Sequence, residues 1–479
     1  MAVADEQGNV RLLESARAEK SSFHDVFLAF RVHTNAIIDM AFSEDDTLLA
    51  TASGDQSARV VDMATQTTIS ILGNHTASLK QVRFQPGANN NSVLATSSRD
   101  GSIQIWDLRV NGYDGPSHQI YAPVDSGRPY TRSESRKIQY TRCINAIYDA
   151  HKVGSKTASA VGPLDAPSRG EVAGRLGDVS VTAIQFLGSG LDHLLVSASE
   201  ADSSIKLWDI RSLATKRKTQ TALSVAQQPQ SHSKWRHFGV SSLNLSSDGS
   251  RLYSLCKDNT IYAYSTAHLM LGHAPELSSE SLSLRPTQRP TQEGLGPLYG
   301  FRHPQLHATS FYVKSAIRKP KDGKFEMLAV GSSDGCAILF PTDERYLSKS
   351  IRQPQLPTQP NTMIPTGPRQ ALRRIGSGLC LRASDSIPIS ENGTALIRGH
   401  DREVGSLTWT SDGNLVTVGD DYLVRTWRED AASSSDLRTG GETEGRRWGC
   451  GWANVAERYD DDIWWHHQEW ILKALEQTR

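Results

Sequence analysis

The sequence predicts an all-β fold, a seven-bladed β-propeller, because one hairpin recurs along the chain. In its clearest copy a strand ends near Ser98, a tight turn falls at Asp100-Gly101, and a second strand runs to Trp106. Asp-Gly favours this turn because its central residues adopt positive φ. The six-residue step from the turn to an aromatic or apolar residue recurs from Gln7 to Leu13, Asp55 to Val61, Asp202 to Trp208, Asp258 to Tyr264, Asp334 to Phe340 and Asp421 to Trp427.

Repeats that close on Trp-Asp are typical of the WD40 class of propeller. Two of them also carry a His before the first strand, a hydroxyl in the second, an Asp in the turn and a Trp in the third. We expect the indole to donate to the hydroxyl, the hydroxyl to the His and the His to the Asp, so that each buried polar group has a partner. The predicted tetrads are His75, Ser97 (or Ser98), Asp100 and Trp106, and His400, Thr417, Asp421 and Trp427.

The propeller is predicted to span residues 1–428 and to be interrupted by three polar inserts. Its first blade is expected to be truncated, because residues 1–13 hold only half a repeat and its outer strands are missing or supplied from elsewhere in the chain. The inserts 111–177, 265–300 and 348–395 are predicted to be mobile loops rather than a further blade. Their polar composition buries too little apolar area to offset the entropy of ordering.

Residues 429–479 are predicted to form an acidic linker followed by a short aromatic helix. Asp462 is a suitable N-cap, and the apolar residues after it recur with helical spacing. One apolar face would contain Ile463, Trp464, His467, Trp470, Ile471, Ala474 and Leu475. The helix either packs on the propeller as a lid or binds a partner.

The composition excludes several classes of function. The 52 basic and 52 acidic residues balance, so no bulk charge draws the chain to nucleic acid or membrane. There is no apolar run of about 18 residues and no apolar N-terminal leader, so we expect no membrane partner. The five cysteines are far apart and form no CxxC pair, which indicates a reduced intracellular protein without a zinc site.

Two motifs that suggest chemistry lack the context that the chemistry needs. Residues 331–335 read Gly-Ser-Ser-Asp-Gly and match the serine-hydrolase elbow, but they fall in a predicted strand-to-strand turn instead of a strand-to-helix turn. His466-His467 has no further metal ligand at a usual spacing. We therefore predict that the protein is not an enzyme and has no catalytic residues, no metal and no cofactor.

A Trp-Asp-x-Arg motif ends two consecutive repeats. It comprises Trp106, Asp107 and Arg109 in one repeat, and Trp208, Asp209 and Arg211 in the next. Because each strand runs away from its Asp turn, both arginines should emerge on the face opposite the turns, on neighbouring blades. Two such arginines can make bidentate, charge-assisted contacts with one partner. The alternative is that each pairs with carboxylates of its own blade.

At these motifs the sequence resembles the denticleless (DTL) family of WD40 proteins. The resemblance covers about residues 1–455, and its stretches include 51–56, 99–101, 106–109, 204–211, 258–262 and 331–334. Two further stretches are Ser310-Phe311-Tyr312-Val313-Lys314-Ser315 and Gly399-His400-Asp401-Arg402-Glu403-Val404. Phe311 to Ser315 is the most specific piece, because generic WD40 repeats do not require it.

The resemblance implies a substrate receptor of the cullin-four RING E3 ubiquitin ligase, acting in replication-coupled degradation and cell-cycle control in the nucleus. The Trp-Asp-x-Arg motifs would then bind the ligase's DNA-damage-binding adaptor. The Asp-turn side would read substrates bound to the sliding clamp PCNA on DNA, which allows an indirect contact with DNA and leaves direct contact open. By strand direction, Arg99, Lys257 and Arg402 lie on that side, where they are either substrate contacts or solvated charges. The alternative function is a generic nuclear WD40 scaffold, for example in chromatin assembly.

Overall fold

The computed structural model is built almost wholly from β-strands, which confirms the predicted fold class. It describes residues 1–14, 26–87, 91–111, 139–152, 178–188, 190–213, 220–229, 231–232, 237–271, 292–293, 295–321, 323–344, 387–396, 399–429 and 470–473. The strands form seven antiparallel blades, in which the chain runs outward from the centre.

Blades 1 to 3 are formed by the first part of the chain. Blade 1 contains β1 (Ala2–Ala4), β2 (Asn9–Leu13) and β3 (Val26–Arg31). Blade 2 contains β4 (Ile37–Phe42), β5 (Leu48–Ser53), β6 (Ala58–Asp62) and β7 (Thr67–Leu72). Blade 3 contains β8 (Leu79–Phe84), β9 (Val93–Ser98), β10 (Ile103–Asn111) and β11 (Gln139–Ile147). Parallel pairing of β7 with β11 joins blades 2 and 3 at their outer edges.

Blades 4 and 5 are linked by the parallel pairing of two short strands. Blade 4 contains β12 (Val181–Phe186), β13 (Leu194–Ser199), β14 (Lys206–Asp209) and β15 (Ser224–Val225). Blade 5 contains β16 (Val240–Leu245), β17 (Arg251–Cys256), β18 (Thr260–Ser265) and, after α1 (Thr266–Leu271) and β19 (Gln292–Glu293), the outer strand β20 (Tyr299–Arg302). Strand β19 pairs in parallel with β15 of blade 4.

Blades 6 and 7 complete the described chain. Blade 6 contains β21 (Ser315–Arg318), β22 (Met327–Gly331), β23 (Ala337–Pro341) and the outer strand β25 (Thr394–Ala395). Just before it in the chain, β24 (Ile389–Ser390) pairs in parallel with β20 of blade 5. Blade 7 contains β26 (Val404–Trp409), β27 (Leu415–Gly419), β28 (Val424–Glu429) and β29 (Trp470–Lys473).

The apolar core lies between the blades. Each buried cluster contains residues of two neighbouring blades, so that one blade's inner surface packs on the next. Residues that share a cluster in this way are Val10 with Leu49, Val60 with Trp106, Ile105 with Ile184, Leu207 with Leu243, Tyr253 with Val330 and Leu339 with Leu407. This packing fixes the order and orientation of the blades.

The blades define two faces. The turns between second and third strands lie on one face, together with the loops that precede the first strands, and we call it the Asp-turn face. The first and third strands end on the other side, which we call the opposite face. The candidate residues discussed below lie on one of these two faces or between them.

The tetrad predicted in blade 7 is confirmed in full. Trp427 Nε1 donates to Thr417 Oγ1 at 2.9 Å, and His400 Nε2 lies 2.8 Å from the same oxygen. His400 Nδ1 lies 3.0 Å from Asp421 Oδ1. The chain of bonds fits a neutral histidine that donates from Nδ1 and accepts the threonine hydroxyl proton at Nε2. Burial, the largest influence, lowers the pKa of His400 and so favours that neutral form.

The tetrad predicted in blade 3 is wrong in one member. The hydroxyl that accepts the Trp106 Nε1–H at 2.8 Å and lies 2.8 Å from His75 Nε2 is that of Thr96, not Ser97 or Ser98. Trp106 is the cross-strand partner of Leu94, so Thr96, two residues further along the strand, lies on the same side of the blade. Ser97 lies on the other side, and its buried hydroxyl has no partner among the described residues.

The carboxylate of this tetrad, Asp100, stays ionised. Burial by itself would raise its pKa, but the neighbouring His75 and the hydroxyl of Ser102 outweigh burial and hold the pKa well below its usual range. Asp100 also accepts the backbone N–H of Thr76 at 2.9 Å and of Ser102 at 2.9 Å. The tetrad therefore fixes both the turn and the loop that enters the blade.

Two further blades contain part of the same arrangement, which the sequence analysis missed. In blade 2, His33 bonds Thr51 at 2.7 Å and Asp55 at 2.8 Å, with a valine in the tryptophan position. In blade 4, His151 and Trp208 both bond Ser197, at 2.8 and 2.9 Å. Strand parity could have found these hydroxyls, because each lies two residues beyond the cross-strand partner of the third-strand residue.

Blade 1 is truncated as expected, with three strands among the described residues where the other blades have four, but the missing strand is not an outer one. Its outer strand is present, because Val26–Arg31 pairs with Asn9–Leu13 directly before the next repeat begins. On the inner side, Ala2–Ala4 pairs with the other edge of Asn9–Leu13. The outer strand of a blade comes from the chain that follows the third strand. The shortness of residues 1–13, which precede that segment, therefore gives no reason to expect the outer strand to be missing.

The expectation that the three inserts are mobile loops is wrong for the residues that follow, and the other parts of the inserts lie largely outside the described residues. Insert 111–177 contains β11, insert 265–300 contains α1 and β19, and insert 348–395 contains β24 and β25. An unpaired third strand would expose a row of backbone donors and acceptors, and β11, β20 and β25 cover such edges in blades 3, 5 and 6. A strand of only two or three residues within a polar segment shows too little alternation of apolar and polar residues to be predicted from the sequence.

The predicted C-terminal helix is wrong where the structure describes it. Residues Trp470–Lys473 form a strand that pairs with β28, from Glu429 opposite Trp470 to Thr426 opposite Lys473. A short apolar run in a sequence is compatible with one face of a helix and with a strand. Here it forms a strand because it pairs with the edge of β28. The acidic linker, Asp462 and the His466-His467 pair lie outside the described residues.

Replacing Thr96 with valine tests the corrected tetrad. We expect a loss of about 1–3 kcal/mol in the free energy of unfolding, because Trp106 and His75 both lose a buried hydrogen-bond partner. Ser97→Ala is the matched control, and we expect it to cost less than about 1 kcal/mol because no bond is lost. Denaturant unfolding followed by tryptophan fluorescence gives both values. Equal losses in the two variants would contradict the assignment.

Candidate interaction surfaces

Arg109 lies on the opposite face at the end of blade 3. The tryptophan of its motif, Trp106, is buried, whereas the Arg109 side chain is 65% exposed. Its guanidinium donates two hydrogen bonds to the Asp107 carboxylate, from Nε to Oδ1 at 2.9 Å and from Nη2 to Oδ2 at 2.7 Å. These hydrogen bonds raise the pKa of Arg109 and lower that of Asp107. The carboxylate thus orients the guanidinium toward solvent.

Arg211 has the same setting on blade 4. Its side chain is 66% exposed, and it pairs with Asp209 at 3.3 Å from Nε to Oδ1 and 3.5 Å from Nη2 to Oδ2. The pairing is looser than that of Arg109. Each arginine therefore pairs with its own blade, as the alternative interpretation expected. A guanidinium has five N–H donors, so this pairing leaves the outward edge able to bind a partner.

The two motifs are held in a fixed relation by contacts between blades 3 and 4. Gln81 Oε1 accepts the backbone N–H of Ile184 at 2.8 Å. Nearer the opposite face, Gln85 Nε2 donates to the carbonyl of Asp192 at 2.9 Å. The structure thus places both arginines on one face of neighbouring blades, where the sequence put them. Their role as a docking pair stays a prediction.

The three predicted substrate-side cations all lie on the Asp-turn face, on alternate blades. Arg99 follows β9 of blade 3, and its backbone N–H donates to the carbonyl of Ser78 at 2.9 Å. Lys257 follows β17 of blade 5, and Arg402 is exposed in the loop before β26 of blade 7. These three residues are spread around the Asp-turn face and do not form one cluster.

The structure gives a position to the family-specific Phe311-Tyr312 stretch, for which the sequence offered no role. Lys257 Nζ lies 4.1 Å from the centre of the Phe311 ring. Lys80 Nζ, from blade 3, lies 5.2 Å from the centre of the Tyr312 ring. Both rings are partly exposed. They form an aromatic strip on the Asp-turn face that is flanked by two cations from other blades.

Glu403 anchors this aromatic strip. Its carboxylate accepts hydrogen bonds from the hydroxyls of Ser333 at 2.8 Å, Thr309 at 3.3 Å and Ser310. Ser310 Oγ in turn accepts the backbone N–H of Tyr312 at 3.1 Å. The two quoted family stretches, 310–315 and 399–404, therefore meet at one carboxylate.

Below the aromatic strip lie charged side chains from three blades. Lys314 Nζ donates to the carbonyl of Ser241 at 2.7 Å. Arg83 forms an ion pair with Asp39 on the neighbouring blade. Burial lowers the pKa of Lys314 to about 8; the charges of Lys80 and Arg83 add to this effect, and Asp39 opposes it. Lysine, arginine and aspartate side chains from three blades therefore lie close together beneath the aromatic strip.

The motif at residues 331–335 has a structural role. The serine in the nucleophile position of the pattern is Ser333, and its Oγ donates to the Glu403 carboxylate at 2.8 Å. The serine follows β22 in a strand-to-strand turn, which is not the geometry of a hydrolase elbow. Within the described ranges, no group of three His, Cys, Asp or Glu residues could hold a metal ion. The same ranges contain no helix able to span a membrane.

The repeats and their geometry define a WD40-repeat protein. The family model described as WD domain, G-beta repeat matches residues 26–62, 66–107 and 392–428. The chain is 28% identical to the cell division cycle protein cdt2 of Schizosaccharomyces pombe, over 94% of this chain and 70% of that protein.

Vertebrate relatives show the same similarity. The chain is 27% identical to denticleless protein homolog B of Xenopus laevis, over 94% of this chain and 48% of the relative. It is 27% identical to the denticleless protein homolog of Homo sapiens, over 89% and 44%. The chain thus spans about half the length of these vertebrate relatives. It belongs to the denticleless family of WD40 proteins.

Removing the Glu403 carboxylate tests whether it positions the aromatic strip. In Glu403→Ala we expect amide hydrogen exchange at residues 309–312 to rise about 5- to 30-fold, because the hydroxyls that order this segment lose their acceptor. Glu403→Gln keeps an acceptor oxygen and should lie much nearer to the wild type. Exchange that is unchanged in Glu403→Ala would show that the segment is ordered by other contacts.

Proposed function

We propose that this protein is the substrate-recognition subunit of a cullin-RING E3 ubiquitin ligase, acting in the nucleus in replication-coupled degradation and cell-cycle control. Membership of the denticleless family supports the proposal. The name of the fission yeast relative, a cell division cycle protein, agrees with it. The alternative, a general nuclear scaffold, makes no use of a paired arginine surface.

The paired arginines are the observation that carries the proposal. Arg109 and Arg211 are about two-thirds exposed on one face of adjacent blades, and each is oriented by its own aspartate. A partner that supplies carboxylates or carbonyls can bind both without reorganising either side chain, which lowers the entropy cost of docking. The partner assigned to this surface is the DNA-damage-binding adaptor of the cullin-four ligase.

Substrate binding is assigned to the Asp-turn face. There the Phe311-Tyr312 strip, with Lys257 and Lys80 beside it, offers apolar area and charge together. With PCNA-bound substrates on this face and the adaptor on the other, the propeller would separate its two partners by its own thickness. The receptor would contribute no chemistry of its own: it would raise the effective concentration of substrate lysines near the ubiquitin carrier.

Alanine substitutions at Arg109 and Arg211 test the docking surface. We expect each single variant to weaken adaptor binding by about 2–4 kcal/mol, or roughly 30- to 1000-fold, because a desolvated arginine is lost. The double variant should lose measurable binding, while unfolding free energies shift by only about 0.5 kcal/mol. Binding is measured by calorimetry with the purified adaptor, beside thermal melting.

Arg402→Ala is the matched control, since it removes an exposed arginine from the Asp-turn face. It should leave adaptor binding unchanged. If the double variant binds like the wild type, the paired arginines are not the docking site. If the wild-type chain does not bind the adaptor at all, the ligase assignment fails and the scaffold function replaces it.

A further inference from the structure

The outer strand of blade 1, β3, has an outer edge on which no strand pairs among the described residues. In three other blades a parallel strand covers that edge: β11 covers β7, β19 covers β15 and β24 covers β20. An uncovered edge presents backbone donors and acceptors with which another strand can pair. Strand β3 reads Val-Phe-Leu-Ala-Phe-Arg, so five of its six residues are apolar, and it contains no Lys or Pro, which natural edge strands use against such pairing.

The pairing of β3 with β2 shows which of its backbone groups point outward. Just after the strand, the N–H of Val32 donates to the carbonyl of Gly8 at 2.9 Å. Alternate residues of a strand direct their N–H and C=O to opposite edges. Phe30 therefore bonds toward β2, whereas Ala29 and Arg31 direct their N–H and C=O to the uncovered edge. A strand that adds to blade 1 would pair with these two residues.

The side chains of β3 alternate in exposure. Phe27 is 78% exposed, and Ala29 and Arg31 are exposed as well, whereas Leu28 and Phe30 are half-buried. Phe27 is the extra residue of a bulge and has no cross-strand partner on β2, a position that turns a side chain away from its regular direction. A large aromatic ring exposed on an uncovered strand edge is typical of an interaction surface.

The order of the exposed residues makes this edge complementary to itself. If two copies of β3 pair in antiparallel fashion with Ala29 opposite Ala29, Phe27 of each copy lies opposite Arg31 of the other. A guanidinium is attracted to an aromatic ring, and that of Arg31 is held in place because its Nε donates to the carbonyl of His33 at 3.1 Å. The small Ala29 side chains leave room at the two-fold axis. Each copy thus offers the residues that the other needs, as a two-fold contact requires.

We propose that the outer edge of β3 is a dimerisation site, where it pairs with β3 of a second copy of this chain. The proposal does not depend on the ligase function, and the edge lies apart from both the paired arginines and the aromatic strip. A single strand pair buries less surface than a standard protein interface, so the dimer is weak and reversible.

Sedimentation equilibrium of the full chain over about 1–100 µM, the range of a weak complex, tests the proposal. We expect the average mass to rise from one chain toward two. Ala29→Pro should weaken association at least about 10-fold, because proline removes an N–H that points outward and none of the bonds within the blade. Phe27→Lys should also weaken it at least about 10-fold, because it places a cation opposite Arg31 of the second copy. Phe325→Lys, the matched control, removes an exposed phenylalanine from blade 6 and should leave association unchanged.

A mixture of two variants distinguishes lost pairing from lost folding. Phe27→Lys and Arg31→Glu should each be monomeric at concentrations where the wild type dimerises. Their equimolar mixture should associate about as tightly as the wild type, because the two introduced charges are opposite in sign and face each other, and the second contact is the native one. The proposal is overturned, in favour of a strand from another protein, if the wild-type chain stays monomeric throughout. It is also overturned if Ala29→Pro and Phe27→Lys both dimerise like the wild type, or if the mixture associates no more than each variant alone.

Discussion

The structure depends on a buried chain of hydrogen bonds from tryptophan through a hydroxyl and a histidine to an aspartate. In blades 3 and 7 the chain is complete, and every bond in it is between 2.8 and 3.0 Å. Each of these groups would be costly to bury alone, because it would lose its bonds to water. Together they satisfy one another and lock the second strand, the third strand and the entering loop of a blade.

The tetrads also explain why the two faces of the propeller carry different surfaces. The aspartate end of each chain lies at a turn on the Asp-turn face. The tryptophan lies further along the third strand, so the Asp and Arg that follow it emerge on the opposite face. In blades 3 and 4, Arg109 and Arg211 follow buried tryptophans by three residues, so the packing of each blade fixes where its arginine emerges. The aromatic strip at Phe311 and Tyr312 is ordered separately, through the Glu403 carboxylate.

The sequence predicted the structural features that recur in the repeats, but it did not predict the features that occur only once. The Asp-to-Trp step predicted the blades, one complete tetrad and the face of both arginines, because strand parity and direction are fixed by local geometry. It missed Thr96, although counting parity from Leu94 would have found it. The outer strands β11, β25 and β29 were missed because pairing to a distant edge, rather than local pattern, makes them strands. The contact of Glu403 with Ser310 joins residues 93 apart in sequence, and no spacing in the sequence reveals it.

The central claim is that the two faces bind different partners. Photo-crosslinking from one residue on each face tests it most directly, with benzoylphenylalanine in place of the exposed Ser212 beside Arg211, or of Tyr422, which is 75% exposed on the Asp-turn face. In an assembly of the chain with adaptor and PCNA-bound substrate, the account predicts that position 212 crosslinks only to the adaptor and position 422 only to the substrate. Adaptor crosslinks from position 422, or substrate crosslinks from position 212, would contradict it.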